Sequence, residues 1–170
     1  FSACHVNPDG FGLAVAKDNE LKITRKYNNT GNNPQEIHEL INQDKDCHRI
    51  LHLRFATQGE KNLDNCHPFY TLEKDKDGID IVFFHTGTFH GYDETDKEKS
   101  DSWHINETFF KHIFKRFATA IGTDTLLEDK LLQNIIEKYK PGGSILTFLN
   151  NKGQHLTLGS GYTKPWGWVS

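Results

Sequence analysis

An apolar strand and a long polar loop meet in residues 48–69, which read HRILHLRFATQGEKNLDNCHPF. Apolar side chains recur through the first part, over residues 48–56, as they do in a strand that packs against a core. Small and polar residues fill the second part, over residues 57–69, and such segments connect elements at the protein surface. The stretch therefore predicts a strand over 48–56 that leads into a loop rich in polar side chains.

The residues before this strand predict a hairpin followed by a helix. The turn-forming sequence NPDG at 7–10 precedes an apolar run over 11–16, and an alternating segment follows over 20–27. The short link between the two segments favours a hairpin of two strands. Pro34 then stands at the first position of a helix that Asn33 caps. A helix therefore separates this hairpin from the strand described above.

The residues after the polar loop predict a central strand, two helices and a closing hairpin. The run IDIVFFH at 79–85 is mostly apolar and is typical of a buried strand. Apolar residues recur at helical spacing over 106–121 and again over 126–139. The remaining predictions are a charged loop over 92–100 and a pair of strands over 144–149 and 155–158.

The order of these predicted elements indicates a fold of the α+β class. Strands come first, then a helix, more strands, two helices and a final strand pair, which is not the alternation of a parallel βαβ sheet. This order favours two antiparallel sheets packed face to face, with helices outside them. A length of 170 residues suits one domain that spans residues 1–170 and buries a core without disulfide bonds.

Charge and apolar patterning exclude several classes of protein. The formal net charge is −3 and basic residues are interleaved with acidic ones, so we expect no nucleic-acid partner. No apolar run approaches the roughly 20 residues that span a bilayer, and no signal-peptide pattern occurs, so we expect no membrane partner. Cys4, Cys47 and Cys66 lack CxxC spacing, which argues against a disulfide framework and favours the reducing cytoplasm.

Arg54 is the first candidate for a binding residue. Strand alternation places Arg54 and His52 on the face opposite Leu53 and Phe55. The guanidinium is a rigid fork of donors that suits a carboxylate ligand. An arginine in a strand also serves as the structural partner of an internal Asp or Glu, and the spacing alone leaves both interpretations open.

Two further candidates lie where buried segments give way to loops. Pro68 fixes the chain direction at His67, whose imidazole would bind a ligand or merely satisfy the loop backbone. Gly87 follows the predicted central strand, where a glycine lets a backbone N–H approach a ligand and act as an oxyanion donor. A plain strand-ending turn is the alternative interpretation of Gly87.

Asp101 is the candidate for an acidic binding residue. It precedes the long predicted helix and would receive an ammonium group from a ligand. The alternative is that Asp101 or its neighbour Ser102 caps that helix, which is the usual role of these residue types in this place.

A metal site is a weaker hypothesis for the histidines. It would be built from His52, His67, His85 and His90, but ten histidines form chance clusters and no HxxxH or HExxH spacing occurs. We therefore expect neither a metal nor a cofactor.

Taken in order, these segments resemble the class II glutamine amidotransferases, a family of N-terminal-nucleophile hydrolases. The matching pattern is HxRxATxG, then NxxNxHPF, then a strand ending in HxG, then Ser-Asp before a long helix. The sequence NPDGFG at 7–12 is similar to the first hairpin of small stand-alone members from bacteria and bacteriophages. The resemblance runs from Asn7 to about Phe117 and implies a four-layer αββα sandwich.

The resemblance also implies a substrate and a role for each candidate. The substrate would be glutamine or a similar small amide, with its α-carboxylate bound by Arg54 and its α-ammonium group bound by Asp101. Gly87 would donate its backbone N–H to the tetrahedral oxyanion, and Thr86 occupies the position of the second oxyanion donor. The residues that would line the pocket are Thr57, Gln58 and His67. The released ammonia would pass to a separate acceptor protein or to none.

Two departures from the family pattern leave two hypotheses open. The family nucleophile is an N-terminal Cys on a strand well before the DGxG turn, and Cys4, Cys47 and Cys66 do not have that place. Because the sequence has no Met and begins at Phe1, we expect residues with this strand and this Cys to precede it. The family usually has Asn instead of Thr86, and losing one oxyanion donor costs about 3 kcal/mol. The chain is therefore either a glutaminase-type enzyme or an inactive relative that serves as a binding or structural module.

Overall fold

The computed structural model describes residues 2–28, 31–44, 46–74, 78–91, 97–159, 162–164 and 167–169. The strands are β1 (Phe11–Lys17), β2 (Glu20–Lys26), β3 (His48–Leu53), β4 (Phe69–Leu72), β5 (Ile81–Thr86), β6 (Ile145–Asn150), β7 (His155–Leu158), β8 (Tyr162–Lys164) and β9 (Gly167–Val169). The α-helices are α1 (Ser2–Val6), α2 (Pro34–Asn42), α3 (Asp101–Ile105), α4 (Lys111–Ile121) and α5 (Lys130–Tyr139). Turns of 3₁₀ helix cover Leu63–Asn65 and Leu126–Glu128, and a π-helical turn covers Asn106–Phe110.

The first sheet is built around the predicted hairpin. Its strand order is β2-β1-β3, and both pairs are antiparallel. Asp18 and Asn19 form the turn between β1 and β2 with φ values of 53° and 61°, as a tight two-residue hairpin requires. The strand prediction over 48–56 is too long, because β3 ends at Leu53, opposite the first residue of β1. Arg54 therefore follows the strand, and Phe55 is 60% exposed instead of packing in the core.

The second sheet is also antiparallel and has the order β4-β5-β6-β7. β5 lies inside this sheet and is buried from Ile81 to His85, which confirms the predicted central strand. β6 and β7 form the predicted closing hairpin. β4 begins at Phe69, the last residue of the segment predicted as a loop. Its four residues are too few to give a clear strand pattern.

Three apolar clusters separate the layers of the molecule. Between the two sheets lie residues of β1, β5 and β6, among them Ala14, Val82 and Phe84. On the other face of β5, Phe83 belongs to a cluster that packs the second sheet against α3, α4 and α5. A third cluster around Ile37 packs α1 and α2 on the outer face of the first sheet. The predicted α+β fold, with its αββα layers, is thus confirmed.

The long helix begins at Asp101 rather than at residue 106. α3, the π-helical turn and α4 follow one another without a break. Ser100 caps this helix, because its Oγ accepts a hydrogen bond from the Trp103 N–H at 3.2 Å. The expected cap by Asp101 or Ser102 is therefore wrong. The apolar stripe over residues 106–121 marked the later turns, whereas α3 buries the polar side chains of Asp101, Ser102 and His104 along with Ile105.

The remaining differences concern single elements. The sequence gives no pattern for α1, and the second predicted helix divides at Asp129, whose side chain caps α5 by accepting from the Leu132 N–H at 2.7 Å. Of the charged loop predicted over 92–100, residues 92–96 lie outside the described residues. None of the helices that the structure describes is long and apolar enough to cross a membrane.

Candidate functional site

Arg54 is held in place by the NPDG turn before β1. Its N–H donates to the Gly10 carbonyl at 2.8 Å, and its carbonyl accepts from the Asp9 N–H at 3.0 Å. The side chain is 4% exposed, and Nη2 donates to the carbonyls of Gln58 and Glu60 at 3.3 and 3.1 Å. Nη1 is buried and has no hydrogen-bond partner in the described part of the chain. One arm of the guanidinium is therefore available to a ligand.

The structural ion pair that the sequence left open for Arg54 is not found among the described residues. A buried carboxylate instead ties the NPDG turn to the loop after Arg54. Asp9 Oδ2 accepts from the Ala56 N–H at 2.8 Å, and Oδ1 pairs with Lys61 Nζ at 2.7 Å. Burial raises the pKa of Asp9, but the hydrogen bonds from Lys61 and Ala56 and the nearby positive charges outweigh it, so the pKa lies below its usual value. We call these contacts of Asp9 with Ala56 and Lys61 the Asp9 clasp.

Asp101 opens α3 and binds the chain that follows β5. Asp101 is 6% exposed and therefore buried. Oδ2 accepts from the Phe89 N–H at 2.6 Å, and Oδ1 accepts from the N–H and Oγ–H of Ser102 at 2.7 and 3.3 Å. Because a carboxylate has about four acceptor positions, these contacts leave room for one more donor.

Arg54 and Asp101 lie within electrostatic range of each other. Burial lowers the pKa of Arg54, and the negative charges of Asp9 and, more weakly, Asp101 are among the influences that oppose this shift. Arg54 lies in a loop beside the first sheet, and Asp101 lies at the start of a helix on the second.

The candidate side chains are buried rather than arranged around an open cavity. A surface cavity of about 320 Å³ lies beside Tyr70 and Trp103, and another of about 340 Å³ lies on the exposed face of α4. Neither is lined by Arg54 or Asp101.

His67 packs among aromatic rings and has no hydrogen-bond partner in the described part of the chain. Its ring centre lies 4.2 Å from that of His52 and 4.8 Å from that of Phe69. Within the described ranges neither nitrogen of His67 is bonded, nor is Nδ1 of His52. Burial, followed by the charge of His85, lowers the pKa of His52 to about 4, and burial also holds the pKa of His67 well below its usual value. Both rings are neutral at pH 7, and the interpretation that His67 satisfies the loop backbone is wrong.

The other two predicted lining residues differ in position. Gln58 Oε1 is buried and unpartnered among the described residues. The backbone carbonyl of the same residue accepts a hydrogen bond from Arg54 Nη2. Thr57 is exposed on the loop surface. The structure therefore brings Gln58, but not Thr57, to the buried polar atoms around Arg54.

Gly87 follows β5 in a conformation that excludes other residues. Its φ is 129°, and a Cβ at this position would overlap the hydroxyl of Ser144. Thr86, the last residue of β5, is partly buried. The ring of His85 lies just before this turn, with Nδ1 2.8 Å from Ser102 Oγ and Nε2 3.3 Å from Ser144 Oγ. The end of β5, where Gly87 follows, therefore makes specific polar contacts through the ring of His85.

The sequence pointed to His85 only as a possible metal ligand and to Ser102 only as a possible helix cap, and it did not point to Ser144. His85 belongs to the HxG motif and Ser102 follows Asp101, so both carried a signal. Ser144 carried none, because it meets His85 only through the pairing of β5 with β6, in which Thr86 lies opposite Ile145.

Neither a reactive cysteine nor a metal-binding group is found among the described residues. Burial raises the pKa of Cys4 and of Cys66, which disfavours a reactive thiolate. Cys47 Sγ accepts a hydrogen bond from Arg49 Nη2 at 2.9 Å. Over the described ranges, no group of three or more His, Cys, Asp or Glu side chains could hold a metal ion.

Comparison with known proteins shows which family the sequence of this chain matches. The family described as "Glutamine amidotransferases class-II" matches residues 2–160. A protein of Haemophilus influenzae named "Putative glutamine amidotransferase" is 37% identical over 86 residues, which cover 49% of this chain and 27% of that protein. The chain thus spans about a quarter of that relative's length. Because the family match covers nearly the whole chain, this protein belongs to the class II glutamine amidotransferases.

Proposed function

We propose that this chain binds glutamine and hydrolyses its side-chain amide, which releases ammonia. The observation that carries the proposal is a group of buried, unpartnered polar atoms around Arg54 Nη1. The group also includes Gln58 Oε1, His52 Nδ1 and both ring nitrogens of His67, for which the described residues provide no hydrogen-bond partner. A buried polar group without a partner costs about 1–3 kcal/mol, so such a concentration is typical of a site that a polar ligand completes.

The charges at the site suit the two ends of an amino acid. Arg54 Nη1 would donate to the α-carboxylate, because Nη2 is already occupied by loop carbonyls. Asp101 would use its remaining acceptor position for the α-ammonium group. The neutral ring of His67 and the amide of Gln58 would complete the lining. The same contacts fit any small zwitterionic amide, and glutamine is the one that the family implies.

The reaction would use an N-terminal Cys upstream of Phe1 as its nucleophile. The Cys thiol loses its proton to its own α-amine, and the thiolate attacks the amide carbon to form a tetrahedral intermediate. The Gly87 N–H would stabilise the oxyanion of that intermediate. Ammonia leaves with a proton from the α-ammonium group, and water then hydrolyses the thioester to glutamate and restores the thiol. A separate protein would accept the ammonia, if any does.

The alternative is a relative that binds the amino acid without hydrolysing it. Thr86 favours this function, because the side chain of Thr is shorter than that of the Asn usual at this position. A missing oxyanion donor slows the reaction roughly 100- to 1000-fold. The two functions share the binding site and differ only in the chemical step.

Glutaminase activity and glutamine binding of the full-length protein test both functions. Arg54→Ala should weaken glutamine binding roughly 10- to 100-fold and slow any hydrolysis at low glutamine to a similar degree, whereas Arg49→Ala, on the neighbouring strand β3, should leave both unchanged. Intact mass and N-terminal sequencing of the mature protein show whether a Cys heads the chain. Binding without hydrolysis supports the alternative function. Hydrolysis or binding that Arg54→Ala leaves unchanged contradicts the site itself.

A further inference from the structure

A chain of buried side chains joins Asp101 to the strand end that carries Gly87. Ser102 Oγ donates to Asp101 Oδ1 at 3.3 Å, His85 Nδ1 lies 2.8 Å from Ser102 Oγ, and His85 Nε2 lies 3.3 Å from Ser144 Oγ. Each of these residues is at most 6% exposed. We call Asp101, Ser102, His85 and Ser144 the His85 network.

The donors and acceptors in the His85 network have only one consistent arrangement. The carboxylate of Asp101 has no proton to give, so the Ser102 hydroxyl donates to it and has its lone pairs left for His85. Burial lowers the pKa of His85 to about 4, so the ring is neutral at pH 7 and carries one N–H. That hydrogen must be on Nδ1, which donates to Ser102 Oγ. Nε2 is then an acceptor and receives the hydroxyl hydrogen of Ser144.

The turn that carries Gly87 is held by this network on both sides. Before the turn, His85 binds Ser102 and Ser144, and the Ser144 hydroxyl occupies the space where a Cβ of Gly87 would lie. After the turn, the Phe89 N–H donates to Asp101 Oδ2 at 2.6 Å. The position of the Gly87 N–H thus depends on the carboxylate of Asp101 from both directions.

We propose that the His85 network positions the Gly87 N–H relative to the ammonium-binding carboxylate, with Ser102, His85 and Ser144 as positioning residues. This inference rests on the proposed roles of Asp101 and Gly87. It gives Asp101 a second task beyond binding substrate, because the same carboxylate orients the turn that meets the oxyanion. Loss of the Ser144 hydroxyl, which does not contact Asp101, should therefore lower kcat and leave KM, which depends on Arg54 and Asp101, nearly unchanged.

The tautomer of His85 tests the network in the protein without substrate. Proton–nitrogen correlation spectra of protein labelled with ¹⁵N in histidine should show His85 with its hydrogen on Nδ1, assigned by the loss of its signals in His85→Asn. Ser102→Ala removes the acceptor of Nδ1, so the hydrogen should move to Nε2 and face Ser144 Oγ. Ser102→Thr keeps the hydroxyl and should keep the hydrogen on Nδ1. An Nε2–H tautomer in the unaltered protein, or no change in Ser102→Ala, overturns the proposal.

Steady-state glutaminase kinetics test whether the network acts in turnover. Ser144→Ala should lower kcat roughly tenfold with KM within about twofold, because a misplaced oxyanion donor weakens transition-state binding alone. Thr147→Val is the matched control, since Thr147 lies on β6, the strand that follows Ser144, and its hydroxyl binds Thr157 in β7 instead. Equal kcat values in these two variants overturn the positioning role. The Nδ1–H tautomer together with hydrolysis that is insensitive to Arg54→Ala would instead show that the proposed function has failed while the network is present.

Discussion

Three histidines next to the candidate site are neutral because the fold buries them. His52 and His85 have pKa values of about 4, and that of His67 lies well below its usual value, in each case chiefly through burial. His52 and His67 lie with their rings 4.2 Å apart near Arg54, whose positive charge adds to the cost of protonating His67. A neutral imidazole both accepts and donates a hydrogen bond, which a site for a polar amide can use.

The free energy of unfolding should therefore decrease as the pH is lowered through a window set by these histidines. An unfolded histidine titrates near pH 6.5, so below that pH the unfolded chain binds more protons than the folded one. For His85 the resulting loss builds up between about pH 6.5 and its folded pKa of about 4, and reaches about 3 kcal/mol. Urea unfolding from about pH 7.5 to 4.5 measures this slope. It should be shallower in His85→Gln and unchanged in His90→Gln, an exposed position; equal slopes in all three proteins would refute the assignment.

Two loops, rather than two regular elements, determine the orientation of Arg54. The NPDG turn binds the backbone of Arg54, and the Asp9 clasp holds the loop that follows it. The two partners of the ion pair differ in burial, with side-chain exposures of 7% for Asp9 and 58% for Lys61. An ion pair with an exposed partner contributes at most about 1 kcal/mol, whereas an unsatisfied backbone N–H costs about 1–3 kcal/mol.

The two halves of the Asp9 clasp should therefore respond differently to substitution. Lys61→Ala should lower the free energy of unfolding by no more than about 1 kcal/mol. Asp9→Ala should cost about 2–3 kcal/mol and raise the KM for glutamine, because the Ala56 N–H loses its acceptor and the loop around Arg54 loosens. Urea unfolding and glutaminase kinetics of the two variants provide the comparison. A larger loss in Lys61→Ala than in Asp9→Ala would mean that the charge pair, not the backbone contact, holds the loop.

Elements with a complete apolar period were predictable from the sequence, and elements defined by tertiary contacts were not. The apolar runs of β1 and β5 and the stripe of α4 come from packing on a core, so their residues reveal them. The polar first turn of the long helix escaped prediction because Ser100 and Asp101 are placed by contacts with Trp103 and Phe89 rather than by an apolar pattern. The candidate pair Arg54 and Asp101 came from a family motif, whereas Ser144 required the register of β5 and β6.

At the scale of the whole molecule, the proposed site would take one residue from each of three separate parts of the sandwich. Arg54 follows β3 of the first sheet, Gly87 follows β5 of the second, and Asp101 begins the helix packed outside it. No single element contains the site, so it exists only when the layers are packed together. Glutamine binding should therefore depend on how the two sheets pack together as well as on the binding side chains.

The central claim is that Arg54 and Asp101 bind opposite ends of one amino acid. Calorimetric titration with glutamine, with 4-aminobutanamide, which lacks the α-carboxylate, and with glutaramate, which lacks the α-ammonium group, tests this claim directly. A hydrogen bond to a charged group contributes about 1.5–3 kcal/mol, so Arg54→Ala should weaken glutamine and glutaramate roughly 10- to 100-fold and leave 4-aminobutanamide unchanged. Asp101→Asn should weaken glutamine and 4-aminobutanamide but not glutaramate. Equal losses for all three ligands in both variants would contradict the account.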